Sequence, residues 1–180
     1  MKKWGYVVSW LPMGVVVTLM SLMVYGAVQQ SIRLGANIPQ IQMAEDAALD
    51  IVRGIAPQAV LPKQNVDIAA SLAPFMIIYD DSGQILASTA VLDAGVPELP
   101  AGVLDLAREK KEDRVTWEPK KGVRSAAVVV RYVGDKPGFV LAGRSLREVE
   151  KLEEQIFLKV IIAWAVTMVG TLGAYYFTRR

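Results

Sequence analysis

Few side chains in this 180-residue chain could do chemistry, because it contains neither histidine nor cysteine. Imidazole general bases, thiol nucleophiles and the commonest zinc ligands are therefore missing. No serine stands in a Gly-x-Ser-x-Gly or Ser-x-x-Lys context, and no glycine-rich phosphate loop is present. The adjacent carboxylates Asp80 and Asp81 could serve acid–base work or calcium. Their setting, Asp-Asp-Ser-Gly between two β-prone runs, is that of a turn in which Asp accepts backbone hydrogen bonds. The expectation is a protein with no catalytic residue, no metal and no cofactor.

Binding is the chemistry that remains. Strand alternation places Arg124, Val128, Val130 and Tyr132 on one face, and Trp117 and Tyr79 fall on neighbouring predicted strands. Aromatic walls with one guanidinium would suit a small carboxylate-bearing ligand, so Tyr79, Trp117, Arg124 and Tyr132 are the candidate ligand-binding residues. The competing reading makes Tyr79 and Trp117 core aromatics and Arg124 a solvated strand-end residue.

The elements that would position these residues are read from periodicity. Residues 39–53 (PQIQMAEDAALDIVR) carry Ile41, Ala44, Ala48, Ile51 and Val52 at helical spacing, with Gly54 as a stop. Residues 74–89 (PFMIIYDDSGQILAST) read as a β-hairpin turning at Asp80 to Gly83. A short helix is expected over 100–113, its charged end running from Glu109 to Asp113. Strands follow at 114–118, 123–132 and 138–143, with turn residues between them. The sum is an α+β domain with an antiparallel sheet of about five strands.

Ser145-Leu146-Arg147-Glu148 then has the form of a capping box, in which Ser145 accepts the N–H three residues on and Glu148 reaches back. Leu146, Val149, Leu152, Ile156 and Val160 continue at three- and four-residue spacing, so one helix can run from the sheet into the last apolar segment.

That segment and its counterpart at the start make the chain unusually apolar, at 53% hydrophobic residues and a mean hydropathy of +0.32. No charge occurs between Trp4 and Ile32, and residues 156–177 contain only Lys159, which can snorkel. A spanning helix needs about 20 apolar residues, and both runs supply them. Trp4, Tyr6, Trp10, Tyr25, Phe157, Tyr175, Tyr176 and Phe177 lie toward their ends, where amphipathic rings meet headgroups. The expected division is a cytoplasmic 1–3, a first span 4–30, an extracytoplasmic domain 31–155, a second span 156–178 and a cytoplasmic 179–180.

The orientation rests on Lys2, Lys3, Arg179 and Arg180, since basic flanks stay cytoplasmic. All 18 acidic residues lie between Glu45 and Glu154, so the domain is net negative and the overall +2 is no nucleic-acid footprint. A cleaved signal peptide is the rival reading of the first run, but typical signal cores are only about 7–15 residues long. Gly170 and Ala174 form a small-xxx-small pair that would permit close approach to the first span or to a second copy in a homodimer.

The order of elements resembles the extracytoplasmic Cache and PAS-like sensor domains of bacterial sensor kinases and chemoreceptors. FMIIYDDSGQILAST at 75–89 and GFVLAGRSLREVEKLEEQI at 138–156 carry the resemblance. It implies a PAS/Cache-like fold in a bacterial inner or plasma membrane, and signalling through the helices that enter the bilayer. Such kinases use a phosphate-accepting histidine and an ATP-binding domain after the second span, and neither is found up to Arg180. The expectation is a sensory or regulatory protein whose output comes from a membrane or cytoplasmic partner in trans. The alternative is an accessory subunit of a membrane complex whose outer domain is a docking surface.

Overall fold

The computed structural model describes residues 2–178, with side chains described from Trp10 onward. The side chains of Lys2, Lys3, Trp4 and Tyr6, and residues Arg179 and Arg180, lie outside what is described, and so do the expectations placed on them. In chain order the elements are α1 (Lys2–Val52), α2 (Pro57–Val60), β1 (Val66–Asp67), β2 (Phe75–Asp80), β3 (Ile85–Ser88) and β4 (Ala90–Val91). They continue with α3 (Val103–Lys110), β5 (Glu112–Lys120), β6 (Val123–Tyr132), β7 (Gly138–Ser145) and α4 (Arg147–Thr178). The chain divides into two compact units, one of the terminal stretches up to Arg33 and from Val149, the other Leu34–Glu148.

The second unit is α+β. Its main sheet has five strands in the order β3-β2-β7-β6-β5, and every neighbouring pair is antiparallel. β2 and β7 are central, and their apolar runs FMIIY and GFVLAG are buried on both faces. A continuous apolar strand of this kind needs cover on two sides. One face carries Phe75, Ile77, Tyr79, Trp117, Ala127, Val129, Phe139 and Leu141, packed with Val103 and Ala107 of α3. The other carries Met76, Ile78, Tyr132, Val140 and Ala142 against Ala44, Ala47 and Ala48 of α1. Small residues on α1 let it lie close to the sheet, which is why its AEDAALD stretch reads as a weak helical stripe.

The end of α1 is where the glycine stop was expected. Gly54 adopts φ 92°, its N–H reaches Ile51 O at 2.9 Å, and the Ile55 N–H reaches Asp50 O at 3.1 Å, a Schellman arrangement. The short helix is shorter than its sequence pattern: Lys111 at φ 70° ends α3, and Glu112 and Asp113 pair with Val130 and Val129 in β5. A parallel pair of two-residue strands, β1 with β4, and the one-turn α2 have no counterpart in the sequence reading.

The first unit is helical. The stretches Trp10–Val52 and Arg147–Thr178 are long and apolar enough to cross a membrane, each containing an 18-residue segment with a mean hydropathy of 1.9. Within this unit Trp164 meets Thr18, Tyr25 meets Phe157 edge-on at 5.5 Å, and Arg33 Nε lies 2.9 Å from Glu153 Oε1. A Cβ added at Gly170 would meet nothing within 4 Å, so this small residue is not at a close helix contact within the described chain.

Candidate functional site

The sheet does not gather the four residues expected to bind a ligand. Trp117 pairs with Ser125 and Tyr79 with Phe139, which place both on the α3 side; Arg124 and Tyr132, at even positions of β6, face the α1 side. The physical reason is the two-residue period of a strand: only inter-strand register says which parity faces which layer. Trp117 is a core residue, 2% exposed, with its ring 6.2 Å from that of Phe75. Arg124 is a half-exposed side chain whose Nε lies 3.9 Å from Glu118 Oε2. Tyr132 donates its hydroxyl to the Tyr79 carbonyl at 3.3 Å, which is possible because Gly138, opposite Tyr132 in β7, has no side chain to intervene.

Ser145 is the last residue of β7, not the cap of a box. Its hydroxyl accepts the Arg147 N–H at 3.3 Å, two residues on rather than three. Glu148 lies in the first turn of α4. The strand continues through Ser145 because that residue pairs with Ser125 of β6, and ladder pairing outweighs the local capping preference.

The Asp80 carboxylate acts as the turn reading expects, whereas the Asp81 carboxylate faces Arg108 and Arg131 at 3.8 and 3.6 Å instead of taking backbone N–H groups. Asp80 Oδ1 accepts the Ser82 hydroxyl at 2.6 Å and the Ser82 and Gln84 N–H groups at 2.9 Å each. The Ser82 hydroxyl, followed by these backbone donors, holds the Asp80 carboxyl below its ordinary range. Among the described residues no three carboxylates come together as a metal ion would require.

Of the four candidates Tyr79 lines a cleft of about 430 Å³ between the β2–β3 turn and the segment leading into α3. Its ring is buried, 3% exposed, and its hydroxyl is buried with no hydrogen-bond partner among the described residues. Burial pushes the phenol well above its ordinary pKa, so it stays protonated. Ile85, Leu99 and Leu104 supply apolar wall, and Glu98, Asp105 and Arg108 supply charge.

Arg108 is held by tertiary structure. Its Nη1 donates to Asp105 Oδ1 at 2.6 Å and its Nη2 to the Asp81 carbonyl at 2.7 Å, while the guanidinium lies 5.2 Å above the Phe139 ring. Arg131, which pairs with Phe139 in β7, donates Nη1 to the Arg108 carbonyl at 3.3 Å and lies 3.6 Å from Asp81 Oδ1. Two guanidinium groups thus clamp the β2–β3 turn, through Asp81, to α3 and β6.

The mouth of α3 also faces this cleft. Its N-cap is Gly102 at φ 86°, with no side-chain cap; the Val103 N–H reaches Pro100 O at 3.5 Å and the Leu106 N–H reaches Gly102 O at 2.9 Å. The first turn of α3 thus has no side-chain capping acceptor, and it carries the positive end of the helix dipole. Nothing local in the sequence joins Arg108 or Arg131 to Asp81. The uncapped start was legible: Pro-Ala-Gly precedes Val103, where a Ser, Thr, Asp or Asn would ordinarily stand.

Together these features define a small α+β domain with a lined cleft, in a chain that also has two helices long and apolar enough to cross a membrane. No protein-family model, no curated protein and no solved structure matches this chain.

Proposed function

We propose that this protein is a two-pass membrane sensor or regulatory subunit without a catalytic output of its own. Its α+β unit would lie outside the cell and both termini in the cytoplasm. On this reading the outer unit is PAS/Cache-like, ligand or partner binding shifts the helices entering the bilayer, and a second protein in trans supplies the output. The topology is supported by the basic pairs Lys2-Lys3 and Arg179-Arg180 flanking an acidic middle. Side chains such as Met23, Val166 and Val169, exposed at 70%, 67% and 72% on the apolar helices, would find their partner in lipid.

The observation that carries the reading is the junction of β7 and α4. β7 is a central strand buried on both faces, only Leu146 separates it from α4, and the Leu146 N–H is held by Arg124 O at 2.9 Å. A ligand that favours one arrangement of the sheet can pass free energy inward through such a junction.

Insertion of one residue between Leu152 and Ile156 tests it, because each residue turns a helix by about 100°. A sensor then loses or locks its output, while normal response of the partner with intact expression refutes the reading. A docking subunit is the second reading, favoured by the exposed Leu34, Ile38, Leu49 and Val52 on α1; it tolerates the same insertion.

A further inference from the structure

The main sheet has two edges, and only one of them is guarded. β3 has four residues, a register shift opposite it between Ile78 and Tyr79, and a carbonyl, that of Leu86, which already accepts the Gln58 side-chain amide at 3.0 Å. β5 runs for nine residues, its register is regular from Glu112 to Trp117, and no strand pairs with its outer side among the described residues. A long bare edge is a template for another strand unless something blunts it.

One bond sets the direction of the free backbone groups. The Arg131 N–H donates to Lys111 O at 2.9 Å, so Asp113, Val115 and Trp117 turn their N–H and C=O groups toward β6, while Glu112, Arg114 and Thr116 turn theirs outward. The side chains of Arg114, Thr116 and Glu118 are exposed and alternate with those of Val115 and Trp117, so they share one face.

Those side chains decide which strand fits. Antiparallel pairing of β5 with itself about Thr116 sets Arg114 opposite Glu118 on both sides of the centre, and Glu112 opposite Lys120 at the ends. Neighbouring registers oppose like charges: centring on Arg114 sets it against itself, centring on Val115 sets Glu112 against Glu118, and centring on Trp117 sets Arg114 against Lys120. Within the chain Arg114 pairs with Glu112, Glu118 with Arg124 and the Gly122 N–H, and Lys120 with Asp93. Partly exposed pairs of this kind are worth little, so exchanging them for pairs across an interface costs little. Backbone bonds along the edge would supply the adhesion, and the charges select the register.

We propose that β5 pairs antiparallel with β5 of a second copy of this chain about a two-fold axis at Thr116, merging two five-stranded sheets into one. The pairing holds for a sensor and for a docking subunit alike.

Because the chain has no cysteine, an introduced one reports a single contact. On the axis the two Thr116 Cα atoms stand about 5.5 Å apart, inside the roughly 4.4–6.8 Å that a disulfide spans. In the full chain in liposomes under mild oxidation, Thr116→Cys cross-links to a dimer, and Ile85→Cys, exposed on the opposite edge strand, does not. Sedimentation of the full chain in detergent reads the charges. Arg114→Glu weakens association by about tenfold, as two attractive cross-strand pairs become repulsive, and Arg114→Glu with Glu118→Arg restores it, a rescue that loss of local structure would not give. Absence of the Thr116→Cys dimer, equal cross-linking through Ile85→Cys, unaltered association of Arg114→Glu, or no recovery in a double variant that melts like the parent overturns the proposal. A dimer that forms without a cross-link at Thr116→Cys also overturns it and places the contact on another surface. The cross-linking arm decides alone if the double variant fails to fold.

Discussion

Trp164 and Thr18, 146 residues apart in sequence, are joined by a 3.0 Å hydrogen bond from the indole Nε1 to the threonine Oγ1, and the same hydroxyl donates back to Gly14 O at 2.9 Å. One threonine thus satisfies its own helix and the partner helix at once. In lipid neither group has water to fall back on, so the pair should hold α1 to α4 inside the helical unit.

A double-mutant cycle measures this. Trp164→Phe and Thr18→Val should each weaken the association of the two helices, with a coupling energy of about 0.6–2 kcal/mol. Steric-trap or denaturant unfolding in bilayers reads it; a coupling indistinguishable from zero would show that the bond contributes nothing in lipid.

Gly138→Ala is expected to be among the most damaging substitutions of the α+β unit. A Cβ there would collide with the Tyr79 carbonyl and with the Tyr132 hydroxyl and ring, all held by the sheet. Overpacking of this kind costs about 1–3 kcal/mol. Thermal unfolding should show the loss, and Tyr132→Phe combined with Gly138→Ala should recover little of it because the backbone carbonyl still obstructs.

Stability should fall at high pH. The Tyr79 phenol is raised by burial, and Tyr132 is raised first by burial and then by the Asp80 charge. An unfolded chain ionises tyrosine near pH 10 and so binds fewer protons than the folded one above that pH. The stabilisation is complete below about pH 10 and is lost as pH rises beyond it. Denaturant titrations from pH 8 to 12 should show a smaller decline in Tyr79→Phe; an identical decline would mean that Tyr79 ionises without unfolding.

At the acid end the sign reverses. The Asp80 carboxyl is depressed by the Ser82 hydroxyl and the turn N–H groups, so its contribution is present above the ordinary aspartate range, near pH 4, and is lost as pH falls through the lower folded value. Asp80→Asn should therefore be less acid-sensitive than the parent below about pH 4, yet less stable at neutral pH. Acid unfolding followed by circular dichroism decides it.

Ser145 shows where local reasoning gives way. Ser-Leu-Arg-Glu is a sound capping signature, yet Ser145 belongs to the ladder with β6 and its hydroxyl makes only a 3.3 Å bond to the Arg147 N–H. Ser145→Ala should then behave as an ordinary surface change, within about 0.5 kcal/mol, rather than as loss of a cap.

What could be read from residues alone is what depends on near neighbours. The apolar helical stretches, the stop at Gly54, the hairpin at Asp80 to Gly83 and the limits of β6 follow from period, turn chemistry and hydropathy, all set within a few residues. The face assignment of Tyr79, Trp117, Arg124 and Tyr132 does not, because a shift of one residue in pairing moves every side chain to the other side of a sheet. Arg108 and Arg131 likewise become functional candidates only when Asp81 is brought to them from another element. Tertiary packing alone turned Tyr79 from one of four scattered aromatic and basic residues into a buried residue lining a cleft. Its neighbours there come from the loop before α3 and from α3 itself, some 20 residues away along the chain, a separation that no periodicity encodes.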